Sequence, residues 1–199
     1  MKRLILALML AFATISYTQA QITTPTVEHG TDTDAKYQKG AIPVVNGHAT
    51  MTRVIDVAEG LSGDALMQRL DVWIQRCMRD DRIRFNQRLK HTAPLEIQQS
   101  VVFELTFAKS FLAHDFTDMS YVILLDAGSQ PGKVVMTMTR IAFKYDEAGT
   151  INKYTAEEII SDEVAFNKKG RIIFGYRKFR LKTIDLMDEL AASLTTTLQ

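Results

Sequence analysis

The clearest pattern in the chain is a set of alternating apolar and polar positions between Val101 and Tyr145. Apolar side chains occupy the odd positions from Val101 to Phe107, and this period of two is typical of a strand that buries one face. The run from Met119 to Leu125 is almost wholly apolar, which predicts a central strand that is covered at least in part on both faces. Residues 126–133 are rich in turn formers and predict an antiparallel hairpin.

The third strand of this region, Lys133 to Tyr145, changes phase halfway along. The apolar residues of its first half share one phase and those of its second half share the other. They are Val134, Met136 and Met138, then Ile141, Phe143 and Tyr145. One extra residue near Thr139–Arg140 would bring both sets onto one face, so we predict a β-bulge there. Alternatively, the two halves face different neighbours.

Two segments that flank these strands have the spacing of amphipathic helices. The first runs from Ser62, a candidate N-cap, to Met78. Its apolar positions are Leu66, Leu70, Trp73, Ile74 and Cys77. Trp73, the sole tryptophan, would be a core anchor or, alternatively, a sugar-stacking ring. The second segment is a closing helix from Thr183 to Leu198. A strand over Thr50–Val57 is predicted before the first helix.

Three other segments carry weaker signals. Residues 154–163 are of helical composition, whereas Arg171–Phe174 predicts a short strand that Gly175 ends. The charged segment Arg79–Pro94 gives no assignment.

The order of these elements indicates an α+β fold. We expect a single antiparallel sheet in the order β-α-β-β-β, with the long helix and the C-terminal helix packed on one face. The α+β domain would span residues 41–145, and residues 146–199 would form a C-terminal extension that ends in the amphipathic helix. Residues 21–40 are polar and predict a disordered lead-in.

The first twenty residues predict a secretory signal peptide. Lys2 and Arg3 precede an apolar run, and Thr18 and Ala20 are the small residues before a cut between Ala20 and Gln21. An uncleaved anchor is the alternative. The mature chain would then have no transmembrane span and would be found in the periplasm or at the outer surface.

Charge and cysteine content narrow the class of partner. The chain has 24 Lys and Arg against 23 Asp and Glu. Removing the two basic residues of the leader leaves 22 − 23 = −1 for the mature chain, and this balance gives no electrostatic reason to bind nucleic acid. The sole cysteine, Cys77, cannot form an internal disulfide. Its helical context favours a buried apolar role over a nucleophile or an intermolecular bridge.

A search for catalytic, metal and cofactor motifs finds no strong match. None of the four histidines, His29, His48, His91 and His114, has a second ligand at metal spacing. His114 and Asp115 are adjacent, which allows either a base with an orienting carboxylate or a solvated loop pair. Gly128–Lys133 resembles a phosphate loop, but it is too short and joins two strands. We therefore predict no metal, cofactor or catalytic residue.

One charged stretch is a candidate binding surface, and we call it the basic strip. Its members are Lys168, Lys169, Arg171, Arg177, Lys178, Arg180 and Lys182. Such a strip could bind an anionic glycan, a lipid headgroup or an acidic protein surface. Alternatively, it is a solvated face that pairs with the acids Glu157, Glu158, Asp162 and Glu163.

The final third of the chain carries a family resemblance. The segments Tyr154-Thr-Ala-Glu-Glu-Ile-Ile-Ser-Asp162, Ala165-Phe-Asn-Lys-Lys169 and Lys178-Phe-Arg-Leu-Lys-Thr-Ile-Asp185, with the leader and the element order, resemble the secreted bacterial family known as domain of unknown function 4468 (DUF4468). The resemblance would cover roughly Ile42 to Leu198, and it implies a TATA-binding-protein-like (TBP-like) fold. It brings no catalytic residues, and the fold name implies no DNA binding. The strand Val101–Phe107 departs from the family by lacking a glycine.

These observations favour an exported, non-enzymatic domain that serves binding or assembly. Its partner would be a protein, a glycan or another envelope component. The alternatives are a hydrolase of envelope or polysaccharide polymers and a carrier of a small anionic ligand.

Overall fold

Alternating side chains build a six-stranded antiparallel sheet in this protein. The computed structural model describes residues 33–89, 93–111 and 113–199. The strands of the main sheet are β3 (Met51–Asp56), β4 (Ile83–Arg88), β5 (Glu96–Lys109), β6 (His114–Asp126), β7 (Lys133–Glu147) and β8 (Thr150–Thr155). A separate two-stranded sheet joins β1 (Val44–Val45) to β2 (His48–Ala49).

The main sheet has the strand order β3-β7-β6-β5-β4, and β8 pairs with the second half of β7. Strands β5, β6 and β7 are long and consecutive, and each strand pairs with the next one in the sequence as a hairpin. Strand β3 comes from before the first helix and pairs with the first half of β7. Strand β4 forms the edge beyond β5. The mixed α+β class that the sequence predicts is therefore present.

The predicted bulge lies in β7. Ser120 pairs with Ala142 whereas Val122 pairs with Thr139, so β7 has one residue more than β6 over this interval. Arg140 takes a positive φ of 53°, which is unusual for a residue with a side chain. The slip keeps the apolar residues of both halves of β7 on the buried face, as the phase change requires.

Among the described residues, three α-helices accompany the sheet: α1 (Gly63–Cys77), the short α2 (Ala156–Ile159) and α3 (Phe174–Leu198). Residues from α1 and α3 join one face of the sheet in a single hydrophobic core. Trp73 of α1 is fully buried there, and its indole Nε1 donates to Ser193 Oγ at 3.1 Å. Trp73 is thus a core anchor, and the sugar-stacking alternative has no exposed ring to act through. No helix within the described ranges is long and apolar enough to cross a membrane.

Four elements differ from those predicted from the sequence. Strand β4 occupies part of the unassigned segment, because an edge strand that is exposed on most positions lacks apolar alternation. Residues 154–163 are mostly not helical: β8 ends at Thr155 and α2 has a single turn. The predicted strand at 171–174 is reduced to one bridge, Phe166 to Ile172. Helix α3 starts at Phe174 and not at Thr183. Gly175 therefore lies in its first turn and does not end a preceding strand.

Part of the predicted lead-in is packed against α3. Residues 35–37 form a 3-10 turn, and the ring of Tyr37 is fully buried. The hydroxyl of Tyr37 and the Nζ of Lys36 each donate to Asp185 Oδ1 at 2.7 Å. Hydrogen bonds from a tyrosine and a lysine explain how the carboxylate of Asp185 can be 5% exposed. Residues 21–32 lie outside the described ranges.

Arg180 of α3 is the centre of the same contact. Its side chain is fully buried. The guanidinium donates from Nε to Tyr37 O at 2.8 Å, from Nη1 to Ile160 O at 2.5 Å and from Nη2 to Gln38 O and Asp162 Oδ1, both at 2.7 Å. Burial lowers the pKa of Arg180, and the hydrogen bond to Asp162 opposes that change. One side chain thus joins the N-terminal segment, the loop after α2 and α3.

Replacing Arg180 with Met should destabilise the protein strongly. The change leaves three carbonyl groups and the carboxylate of Asp162 without their donor, which typically costs about 3–5 kcal/mol. Urea unfolding followed by circular dichroism measures the free energy of unfolding. Arg76→Met, the same substitution at an exposed position of α1, is the control and should cost less than about 1 kcal/mol. Equal losses for the two variants would contradict the role given to Arg180.

Cys77 lies at the end of α1 and packs against the core. Burial raises the pKa of its thiol from 9.0 to about 12. The reactive species is the thiolate, so a thiol with so high a pKa is almost entirely neutral at pH 8. This environment suits an apolar packing role and not a nucleophile.

The thiol of Cys77 should react slowly with iodoacetamide at pH 8 in the folded protein. A rise of the pKa from 9.0 to about 12 lowers the thiolate fraction at pH 8 by a factor on the order of 1000. Mass spectrometry of timed samples gives the alkylation rate, and the same protein in urea supplies the reference. A folded-state rate within about tenfold of the urea rate would argue against a neutral, shielded thiol.

Candidate functional site

The two faces of the main sheet differ sharply in burial. The odd-numbered positions of β6, from Thr117 to Leu125, are buried, whereas the even-numbered positions remain partly exposed. Most of β5 has the same odd and even division, whereas in the first half of β7 the even-numbered positions are buried and the odd-numbered positions partly exposed. We call the face formed by the partly exposed positions the open face. The prediction that the Met119–Leu125 strand is central is right, but the neighbours shield its second face only in part.

The open face carries an apolar stripe that crosses every strand from β4 to β3. Val102 and Val122 are diagonal neighbours, since Val102 pairs with Ser120. Leu124 is likewise diagonal to Val135, which pairs directly with Val54. The stripe consists of Phe85, Val102, Val122, Leu124, Val135 and Val54. Its two ends, Phe85 and Val54, are each 51% exposed, so large apolar surface faces solvent at both edges.

Hydroxyl groups flank the stripe. Thr137 lies opposite Thr52, with 3.5 Å between their Oγ1 atoms, and the Oγ1 of Thr139 lies 3.2 Å from that of Thr50. Ser120 donates to Ala142 O at 3.5 Å. These short hydroxyls satisfy one another or the backbone. As far as the structure describes it, the centre of the open face carries no charged side chain.

One end of the open face has a compact ionic group. Glu104 is 8% exposed and accepts a hydrogen bond from Arg84 Nη2. Its Oε1 lies 3.3 Å from His114 Nε2, and the same ring nitrogen lies 3.3 Å from Thr106 Oγ1. The neighbours of Glu104 therefore account for its burial on an otherwise open face.

The other end of the open face is acidic. Glu96 and Asp126 lie directly opposite each other in the β5–β6 register. Burial alone would raise the pKa of Asp126, but the backbone N–H groups of Gly128 and Ser129 donate to its Oδ1 at 2.8 and 3.0 Å, and the net result is a lowered pKa. Two carboxyl groups directly opposite each other favour a cation from outside the chain.

His114 and Asp115 do not form a catalytic pair. Consecutive strand residues point to opposite faces, and His114 contacts Glu104 on the open face. Asp115 instead accepts from Tyr145 Oη at 2.9 Å and from Lys178 Nζ at 3.0 Å. The two side chains are adjacent in the sequence but lie on opposite faces of the sheet.

The basic strip does not form one accessible surface. Arg180 is buried, and Lys178 binds Asp115 while its Nζ lies 4.6 Å from the centre of the Phe107 ring. Burial lowers the pKa of Lys178, but hydrogen bonds to Tyr145 and Asp115 more than compensate, and the net pKa is raised. Lys168, Lys169 and Arg171 lie exposed in the loop before α3, and Arg177 and Lys182 are partly buried on α3.

Two of the acids suggested as partners of the strip bind backbone groups instead. Glu157 accepts from Ala49 N at 2.7 Å, and Glu158 forms a capping box with Thr155. Asp162 does bind a member of the strip, Arg180, but that pair lies inside the protein. Glu157 and Glu158 thus satisfy backbone groups, a role that sequence proximity cannot indicate.

The remaining predicted sites add no chemistry. Within the ranges that the structure covers, no group of His, Cys, Asp and Glu side chains could hold a metal ion. His48 Nδ1 lies 3.6 Å from Glu157 Oε1 and is half exposed. His29, His91 and the predicted cleavage pair Ala20 and Gln21 lie outside the described ranges.

The open-face stripe is the surface that sequence analysis missed. Its signal is present in the apolar even positions of β6, Val122 and Leu124. Those residues predict burial from either of two sources, a second layer of this chain or a partner. Periodicity alone cannot tell the two apart.

Two solved structures have a similar fold. A DUF4468 family protein from Bacteroides ovatus ATCC 8483 has a TM-score of 0.72 and 24% identity, over 83% of this chain and 94% of that chain. A TBP-like protein from Parabacteroides distasonis ATCC 8503 has a TM-score of 0.62 and 17% identity, over 80% of this chain and 97% of that chain. No family model and no curated protein matches the sequence. These likenesses agree with the resemblance drawn from the sequence, and the chain has the mixed α+β fold of a DUF4468 family protein and of a TBP-like protein.

Proposed function

We propose that this chain is an exported, non-enzymatic domain that binds a protein partner in the cell envelope through the open face of its sheet. The observation that carries the proposal is the apolar stripe from Phe85 to Val54, which crosses all the strands of the main path and ends in two half-exposed side chains. Both long helices pack against the opposite face, so a partner can approach the stripe without displacing the core.

The open face is large enough for a protein interface. Five strands spaced about 4.8 Å apart, with about nine residues of each at about 3.3 Å per residue, give a face of roughly 20 by 30 Å. That area of roughly 600 Å² approaches the roughly 800 Å² that each partner buries in a standard interface. A short rim from neighbouring loops would supply the rest.

The chemistry of the open face specifies the partner. The uncharged stripe fits an apolar ridge, and the facing acids Glu96 and Asp126 favour a basic side chain at one end of that ridge. Nucleic acid fits poorly, since acids outnumber bases on this face. The acids are Asp56, Glu96, Glu104, Asp118, Asp126 and Asp146, and the bases are Arg84, Lys109, Lys133, Lys144 and Lys153.

Two other functions have less support. A hydrolase would need convergent polar groups, and His114 and Asp115 point to opposite faces of the sheet. An anion carrier built on the basic strip would lack Arg180 and Lys178, since Arg180 is buried and bound to Asp162 and Lys178 is paired with Asp115.

Export should leave Gln21 as the N-terminus. Expression of the whole chain in a secreting bacterial host, followed by intact-mass measurement of the periplasmic fraction, tests this prediction. Ala20→Leu should block processing because the −1 position accepts only small residues, and Ala11→Leu, within the apolar run, is the control that should still be processed. A periplasmic species that retains residues 1–20 would contradict the cleavage prediction.

A photo-crosslinking experiment tests the open face. Benzoylphenylalanine at Leu124 should yield a discrete crosslinked protein from the envelope of the source organism. The same probe at Val72, an exposed valine of α1, is the control and should yield none. The double variant V122K/L124K is tested with the probe at Phe85. It should give at least tenfold less product than the otherwise unsubstituted chain with the probe at Phe85, because two desolvated charges cost more than about 1.4 kcal/mol.

The outcomes separate binding from misfolding. Circular dichroism and urea unfolding should show V122K/L124K folded, since both positions are partly exposed. Identical products from Leu124 and Val72, or an unchanged yield in the folded double variant, would contradict the proposal. A crosslinked product with twice the mass of the chain would identify a second copy in place of a different protein.

A further inference from the structure

A groove of about 420 Å³ lies between the C-terminal half of α1 and the edge strand β4. It opens on the helix-covered side of the sheet, away from the open face. Ile74 and Met78 of α1 supply its apolar part. Ile74 is 2% exposed, so the apolar part of the groove continues into the core.

The polar wall of the groove is rich in hydrogen-bond donors. Gln99 is 5% exposed, and its Nε2 donates to Asn86 Oδ1 at 3.0 Å. This bond occupies one lone pair of Asn86 Oδ1, and the Nδ2 group of Asn86 supplies two N–H donors. Gln75, Arg79 and Arg88 also line the groove, and among the described residues no carboxylate does. An anionic acceptor is therefore the complementary ligand group.

The backbone beside the groove has hydrogen-bonding groups that point outward. Leu89 N donates to Gln98 O at 2.9 Å. Since hydrogen-bonded and non-hydrogen-bonded pairs alternate in an antiparallel ladder, the pairs of Asn86 and Arg88 with β5 are of the non-bonded kind. Their N–H and C=O groups face the free side of β4. Among the described residues, no strand pairs with that side.

The same two residues thus present backbone groups to the edge and side chains to the groove. A strand added beside β4 would place residues opposite Asn86 and Arg88, with their side chains on the groove side and Cβ atoms about 5 Å away. An acidic side chain at such a position would reach both Arg88 and Arg79, which follows the end of α1. Arg88 also pairs with Asp71. Backbone pairing and groove contact would then act together, as in strand addition beside a helix.

We propose that β4 and the adjoining groove bind an extended polypeptide segment by strand addition, with an Asp or Glu side chain of that segment seated between Arg79 and Arg88. The free edge supplies the main-chain bonds and the donor-rich groove supplies the selection for an acid. This site is separate from the open face and does not rest on the function proposed for that face.

Three synthetic peptides test the site by isothermal titration calorimetry with the mature protein. The probe is acetyl-Thr-Val-Glu-Val-Glu-Val-Thr-amide, the second peptide has Gln in place of both Glu, and the third is the probe with alternate amides methylated on the bonding edge. We expect the Glu peptide to bind at least tenfold more tightly than the Gln peptide, because charge-assisted hydrogen bonds are the stronger ones. The methylated peptide should not bind, because it cannot pair with β4.

Variants of Arg79 and Arg88 test whether these two side chains cause the preference for the acidic peptide. R79Q/R88Q should bring the Glu and Gln peptides to within about twofold of each other. Lys153→Gln, which removes a positive charge on exposed β8, is the control and should keep the preference. Hydrogen exchange followed by NMR should show the amides of Asn86 and Arg88 becoming protected when the Glu peptide binds.

Several results would overturn the inference. They are equal binding of the Glu and Gln peptides to the unmodified protein, unaltered exchange at Asn86 and Arg88, and binding of acetylglutamate methylamide as tight as that of the peptide. The last result would mean a small-carboxylate pocket without strand addition. The variant V122K/L124K should still bind the Glu peptide, and R79Q/R88Q should still give the crosslink at Leu124, so a failure at one site is distinguishable from a failure at the other.

Discussion

The buried guanidinium of Arg180 is the contact on which the arrangement of the chain depends. It is fully buried and binds three backbone carbonyl groups and the carboxylate of Asp162. Asp162 in turn accepts from Gly40 N at 2.8 Å and from Ile42 N at 3.3 Å. The N-terminal segment, the loop after α2 and α3 are thereby held together by one charge pair. Because a buried charge without partners is very unfavourable, each of these segments stabilises the position of the others.

A single covered face has consequences for function. The core lies on the side of the sheet where α1 and α3 pack, and the open face contributes little to it. Under the proposed function, stability and recognition depend on opposite sides of the same strands, so residues of the open face could vary without damaging the core. The β4 edge adds a different kind of surface, because it offers main-chain groups where the open face offers side chains.

Much of the framework could be predicted from local patterns. The long strands β5 to β7 follow from alternation, and the bulge at Arg140 follows from a phase change that a single sheet face could not otherwise accept. Trp73 and Cys77 follow from their helical spacing. Strand β4 could not be predicted, since its residues face solvent or a groove and so carry no apolar period. The basic strip was equally misleading: Arg180 and Lys178 lie close in the sequence to exposed cations, yet Arg180 is buried and Lys178 is paired with Asp115.

The sequence by itself determined the mixed α+β class and most of the helix and strand positions that have a buried face. These are consequences of periodicity, which acts between residues close in the chain. The sequence did not place His114 and Asp115 on a strand, because their neighbours indicated a loop pair, whereas the structure includes both in β6. Only the tertiary structure decided which apolar residues are covered, where Arg180 finds its partners, and that Asn86 and Arg88 line a groove beside a free edge. Those outcomes depend on contacts between residues as far apart as Tyr37 and Arg180, and no local pattern specifies which distant groups will meet.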